Sequence, residues 1–375
     1  MTVHQRWIAD RMSRIDASGI RKAFEMAKAM KNPIDLSIGM PYFDVDDAIK
    51  DAACEAIREG RNQYSVTMGL PELREAIRGS IGHYGHADRE VMVTSGTAGA
   101  LMLALSATVN PGDEVIVFDP YFVMYQHQAT LAGGVTVVVD TYPDFRIHLE
   151  KVAAAITPKT KAIVVNSPNN PSGVVATPEE LKALALLCKE RGILLISDEV
   201  YNCLCYDGEY RSPAEWNEDV LVVDGFSKSF GMTGWRLGFA HGPSQIIQEM
   251  AKLQQFTFVC APTPLQEGVA RALRGEATID LSGQVGGYER KRDLVVDALD
   301  GLYELARPGG AFYAFPKAPW GTASEFCAEA IRRELLIIPG NVFSRRDTHF
   351  RISYATSDET LKRGLDVLRG LAKGA

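Results

Sequence analysis

Short apolar runs alternate with longer segments of helical periodicity along most of this chain. Val91–Val93, Glu114–Phe118, Val135–Val139, Lys161–Val165, Ile193–Ile196 and Val220–Val223 are each mostly or wholly apolar and each stop at small or polar residues. Runs of this length without alternation predict strands buried on both faces of a parallel sheet, whose functional groups gather at the C-terminal strand ends. Between them, Ala48–Glu59, a helix opened by Pro71, Ala98–Ala107, Leu149–Ile156 and Glu179–Arg191 closed by Gly192 read as helices. Asp47 is a candidate N-cap for the first of these. Upstream, residues 11–31 read as a helix broken by Gly19, with Ile20, Phe24 and Ala27 at helical spacing, before a short strand at Ile34–Ile38. Glycines cluster over Gly275–Gly287, which predicts a hinge, and Tyr288–Leu302 then reads as helix. The alternation predicts an α/β fold with a doubly wound sheet.

Composition narrows the function classes. The 375 residues exceed one ordinary core, so two domains are expected, and 46% hydrophobic with 23% charged residues describes a globular protein. No apolar run approaches the ~20 residues that span a bilayer, and the first residues lack a signal-peptide profile, so we expect a cytoplasmic protein with no membrane partner. A net charge of −7 without a basic stripe argues against nucleic acid. Six cysteines form no paired framework, and Cys203 and Cys205 have the wrong spacing for a redox or zinc pair. His83 and His86 have no third ligand at sensible spacing, so no metal site is expected.

The candidate chemistry centres on Asp224–Gly238. The strand ending at Val223 runs into a small-residue turn that presents Lys228, and eight residues later Arg236 stands between Gly234 and Gly238. A nucleophilic lysine needs a site that strips its hydration, and walls of Phe226, Phe230 and Trp235 would supply one. An arginine fork nearby suits phosphate, so together they suggest a phosphorylated carbonyl cofactor held covalently. Taken alone, a lysine in a turn is more often a surface residue. The strand-to-helix turn Ser95-Gly96-Thr97-Ala98 offers free helix-terminal amides as a phosphate cradle. Asn166–Gly173 is a proline-bounded turn after a buried strand, and Asp198 ends another, where a carboxylate is costly unless it meets a cation or caps a helix. Arg351 lies among apolar neighbours on a late strand, as a ligand clamp or a structural ion pair.

These segments, in this order over residues 34 to 355, resemble the class I/II pyridoxal-phosphate aminotransferases of fold type I: Leu36–Phe43, Tyr64–Arg74, Asn166–Gly173, Asp198–Tyr201, Ser227–Gly238, Pro308–Phe315 and Phe350–Ala355. The resemblance implies a large domain with a mostly parallel seven-stranded sheet between helices and a smaller α+β domain. Boundaries are expected at 1–45 (N-terminal arm and part of the small domain), 46–282 (large domain) and 283–375 (small domain). It implies that Lys228 bonds pyridoxal 5'-phosphate and then shuttles protons, that Asp198 pairs with the pyridine nitrogen, and that Asn170 and Tyr201 hold its ring hydroxyl. Phe122, or Tyr121 beside it, would stack on the ring, while Gly96, Thr97, Ala98, Ser227 and Arg236 would hold the phosphate. Arg351 with Gly39 would bind the substrate carboxylate, and Tyr64 would reach the partner subunit's cofactor in a homodimer with shared active sites.

Two departures stand out: Asp44-Val45-Asp46-Asp47 replaces a proline at the cavity entrance, and Gly225 stands where many relatives carry a phosphate-binding serine. The implied activity moves an amino group from an L-amino acid, with aspartate, alanine and aromatic donors all open, to a 2-oxo acid such as 2-oxoglutarate. A pyridoxal-phosphate C–S β-lyase and a non-catalytic protein of the same fold are the alternatives.

Overall fold

The computed structural model describes residues 4–16, 19, 30, 32–81, 88–276 and 281–373. Most of the helix expected over residues 11–31 and the His83–His86 stretch lie outside these; Asp10–Arg14 forms a short 3-10 turn.

In chain order the strands are β1 (Ile34–Asp35), β2 (Arg89–Thr94), β3 (Glu114–Asp119), β4 (Val135–Asp140), β5 (Thr160–Asn166), β6 (Leu194–Asp198), β7 (Leu221–Gly225), β8 (Gly238–Pro243), β9 (Tyr313–Ala314), β10 (Leu335–Leu336), β11 (Ile338–Pro339) and β12 (Phe350–Ser353). The helices are α1 (Asp47–Arg58), α2 (Pro71–Ser80), α3 (Gly96–Thr108), α4 (Met124–Leu131), α5 (Leu149–Ala155), α6 (Pro178–Arg191), α7 (Phe226–Ser229), α8 (Ser244–Thr257), α9 (Thr263–Arg271), α10 (Ser282–Leu299), α11 (Ala323–Arg332) and α12 (Asp358–Ala372).

A seven-stranded sheet in the order β2-β8-β7-β6-β5-β3-β4 forms the centre. Its strands run parallel except β8, which is antiparallel to both neighbours. The apolar runs demand this burial: helices α3, α4 and α8 cover one face, with Leu101, Leu105, Tyr125 and Met250 packed on Val117, Val164 and Val223. Helices α5 and α6 cover the other through Val152, Leu184 and Cys188. A separate core joins Ile34 and Leu36 to α10, α11, α12 and two small sheets, β1-β10 and β11-β12-β9.

Local expectations are met at most ends. Pro71 occupies the first turn of α2, and α6 carries a full capping box, with Thr177 accepting from the Glu180 amide and Glu180 reaching back. Three differ. Asp46, not Asp47, caps α1, because Asp46 has the extended backbone and its carboxylate accepts from Ala48 N–H, while Asp47 sits inside the helix and pairs with Lys50 at 2.6 Å. Helix α10 begins at Ser282, inside the stretch read as a hinge: Gly283, Gly286 and Gly287 have open space beside them and are carried within the helix. The strand that the resemblance implies over Pro308–Phe315 is laddered only at Tyr313 and Ala314, where β12 runs alongside.

Candidate active site

The C-terminal ends of β3, β5, β6 and β7 deliver Phe122, Asn170, Asp198, Tyr201 and Lys228 to one cavity of about 350 Å³. Gly39, Thr97, Ala98, Ser227, Arg236 and Arg351 also line it. Positions far apart in the chain thus converge where a parallel sheet opens its strands to a crevice.

Lys228 lies on the short helix α7 and its Nζ donates to the Gly39 carbonyl at 2.7 Å. Burial, then the charges of Arg351 and Arg236, lower its pKa to about 8, with Asp198 opposing. The expected walls are different. Phe226 and Phe230, four residues apart and so on one face of the turn, stack on each other 5.6 Å apart and pack with Met232 and Trp235 in the core beneath. The rings beside Lys228 Nζ are those of Tyr201, at 5.8 Å, and Phe312, at 5.9 Å.

Asp198 is buried, and burial raises its carboxyl to about 6 although a Tyr125 hydroxyl, the Val200 amide and the Lys228 charge all favour the anion. It caps no helix, since a turn follows it. Tyr201 shares a hydrogen bond of 2.9 Å with Tyr313. Phe122 lines the cavity and meets Tyr125 edge-on; Tyr121 points into a different, much smaller cavity, which decides between the two.

Arg351 is 1% exposed. It donates to Asn170 Oδ1 at 3.0 Å and to the Ser37 carbonyl at 2.8 Å, and its guanidinium lies 4.6 Å from the ring centres of both Tyr313 and Phe343. Among the described residues no carboxylate forms an ion pair with it, and its Nε has no hydrogen-bond partner. A buried arginine so arranged fits an anion supplied from outside the chain.

At the opposite end, α3 starts at Gly96 with no side chain capping its amides. Gly96 has φ of 68°, and a Cβ there would lie 2.5 Å from the Arg236 guanidinium, so glycine lets the arginine close over the helix start. Gly225 is explained likewise: a Cβ would meet Gly238 Cα at 2.9 Å and Thr97 Oγ1 at 3.0 Å. The Thr97 hydroxyl, buried and without a partner, occupies the region a serine at 225 would use. Bare amides, an unpaired hydroxyl and a guanidinium fit a phosphate, and a buried aspartate beside a half-buried lysine fits a cationic heterocycle bearing a carbonyl. Tyr64 is not in this cavity and is 82% exposed.

The family model for aminotransferases of class I and II matches residues 31–368. The chain belongs to that family. An aspartate/prephenate aminotransferase of Thermus thermophilus is 39% identical, with 92% of each chain covered. An aromatic-amino-acid aminotransferase of Thermococcus litoralis is 35% identical over 98% of each. The structure of a Thermus thermophilus aspartate aminotransferase with maleate superposes with a TM-score of 0.92 at 36% identity, covering 97% of this chain and 99% of that one. This aminotransferase therefore uses pyridoxal phosphate as its cofactor and moves amino groups between amino acids and 2-oxo acids.

Met40, Leu101, Met124, Tyr125, Asn166, Val200, Thr233 and Tyr313 also line the cavity with no role implied by the sequence. Of these, Leu101, Met124 and Tyr125 lie outside the segments that carry the resemblance.

Proposed function

We propose that Lys228 carries the cofactor and that the remaining cavity residues divide the work as two anion sites around it. The observation that carries this is the convergence of a half-buried lysine with lowered pKa, a buried aspartate and a buried arginine with no carboxylate partner among the described residues. Pyridoxal phosphate, when bound, supplies an electron sink for the charge left at the substrate α-carbon. Asp198 keeps the pyridine nitrogen protonated, Asn170 and Tyr201 hold the ring hydroxyl, and Phe122 lies against the ring. Arg236, Ser227, Thr97 and the Gly96–Ala98 amides hold the phosphate. Arg351, beside Gly39, binds the α-carboxylate of the amino acid. Once the substrate amino group has taken its place on the cofactor carbonyl carbon, the freed Lys228 amine would take the α-proton and return it on the cofactor side, a shuttle suited to an amine whose pKa is lowered to about 8.

The same reading makes the enzyme a homodimer in which Tyr64 reaches the phosphate of the other subunit's cofactor. Tyr64 is exposed beside Val66, and Thr263 and Gln254 tie this segment to the one bearing exposed Phe256 and Phe258. It also divides the chain into a large domain over 46–282 and a small one formed by 1–45 and 283–375, which the separate cores support. Six free thiols suit the reducing cytoplasm, where we place it. The amino donor is an aspartate, alanine or aromatic amino acid.

The test is the absorbance of the purified protein with pyridoxal phosphate as single amino acids are added. A visible cofactor band that shifts to the near ultraviolet reports the first half-reaction and names the donor. Lys228→Ala should lose the visible band and all transamination; a wild-type rate in that variant would overturn the assignment. Pyruvate and ammonia released from a cysteine conjugate without any oxo acid would select the lyase instead.

A further inference from the structure

Asp198 is held from a direction that the active-site motifs do not contain. Its Oδ2 accepts a hydrogen bond of 2.7 Å from the Tyr125 hydroxyl, whose helix, α4, lies 73 positions upstream of it. Its Oδ1 receives only the longer contact of 3.3 Å from the Val200 amide, and Asn166 holds its backbone carbonyl at 3.0 Å. Tyr125 cannot swing away: it is buried among Leu101, Val117 and Val164, and its ring meets Phe122 edge-on at 5.8 Å. Burial and the charge of Asp198 hold its phenol well above the usual tyrosine range, so it stays a donor.

We propose that Tyr125 is a positioning residue for the transaminase: its phenol fixes one oxygen of Asp198 and keeps that buried carboxylate charged. This rests on the role of Asp198 toward the cofactor proposed above. Without the phenol the carboxylate would have one long amide contact in a buried site, where the neutral acid is favoured. The groups facing it are Tyr125 from α4, Tyr201 from the turn after β6, Lys228 from α7 and, as a like charge, Asp224 from β7. Of these Lys228 and Tyr125 favour the anion.

The experiment measures the affinity of the cofactor-free protein for pyridoxal phosphate by fluorescence titration between pH 5 and 9. Wild type, Tyr125→Phe, Asp198→Asn and, as a control, Tyr121→Phe are compared. Titrations of the cofactor itself, and of the Lys228 amine near pH 8, are common to all four, so what is compared is the further rise on the acid side of these. Affinity should rise with pH as Asp198 ionises. The phenol lowers that ionisation, so Tyr125→Phe should move the rise upward by about one pH unit or more and weaken binding about tenfold at neutral pH. Tyr121→Phe should match wild type, and Asp198→Asn should lack the rise. A rise at the wild-type pH in Tyr125→Phe, or one retained in Asp198→Asn, overturns the role of the phenol alone. Wild-type protein that takes up no pyridoxal phosphate overturns both this role and the assignment beneath it.

Discussion

Arg351 shows how a residue can be costly to the fold and useful to the site. Its guanidinium is buried, makes two hydrogen bonds to neutral oxygens and lies between two rings, while burial lowers its pKa. A charge so placed is an unfavourable element of the cofactor-free protein that a bound carboxylate relieves. Replacing it should therefore separate binding from stability. Arg351→Gln is expected to raise the KM for the amino donor by roughly two orders of magnitude, the loss of a charge-assisted pair, while its stability to urea stays within ~1 kcal/mol of wild type. Equal losses of stability and affinity would make Arg351 a structural ion-pair residue. At this scale the sequence was informative about residue types and poor about neighbours. Lys228 was legible from its turn, but its ring contacts were misassigned to Phe226 and Phe230, because adjacency in sequence on a one-turn helix does not say which face meets the cavity.

At the scale of elements, most of the site is held by strand-to-turn junctions whose chemistry is local. β5 ends at Asn166 and its loop carries Asn170, whose amide donates to Asn166 Oδ1 at 2.9 Å. β6 ends at Asp198, and β7 delivers α7. The helices behind them are fastened by caps, and the one before β6 is the most completely fastened. Thr177 and Glu180 satisfy each other's backbone amides, and Gly192 closes the far end in a left-handed conformation. Thr177→Ala should cost about 1 kcal/mol in chemical denaturation and leave kcat/KM unchanged, since the cap lies on the side of the sheet away from the cavity. A larger loss in activity than in stability would show that α6 positions Asp198. Gly192 at the end of α6, the proline at the first turn of α2 and the buried parallel strands were all legible, because each is set by residues within a few positions. The start of α10 was not, since glycine disfavours helix locally and only the packing of the rest of the helix overrides that preference.

For the whole molecule, the decisive question is whether the cavity is complete in one chain. The large sheet supplies a lysine, an aspartate and a phosphate cradle, while β12 of the smaller body brings Arg351 and the β1 segment brings Gly39. The exposed Tyr64, Val66, Phe256 and Phe258 lie on a surface for which a second copy is the proposed occupant. Phe256→Asp should shift sedimentation from dimer to monomer and weaken cofactor affinity by about tenfold or more, because the partner's phosphate contact is lost with the interface. Wild-type protein that sediments as a monomer at micromolar concentration would overturn the shared site.

By itself the sequence determined most of the buried parallel strands, several of the helices between them and the identity of the turns that carry Lys228, Asn170 and Asp198, but not α4, α8, α9, α11, α12 or the antiparallel β8. Hydrophobic periodicity and turn chemistry act over a few residues and can be read where they stand. Only the tertiary structure decided that Tyr125 donates to Asp198, that Phe122 and not Tyr121 faces the cavity, that among the described residues no carboxylate pairs with Arg351, and that Gly225 leaves its space to Thr97. Those facts depend on distances between groups far apart in the chain, which packing sets and no local pattern encodes.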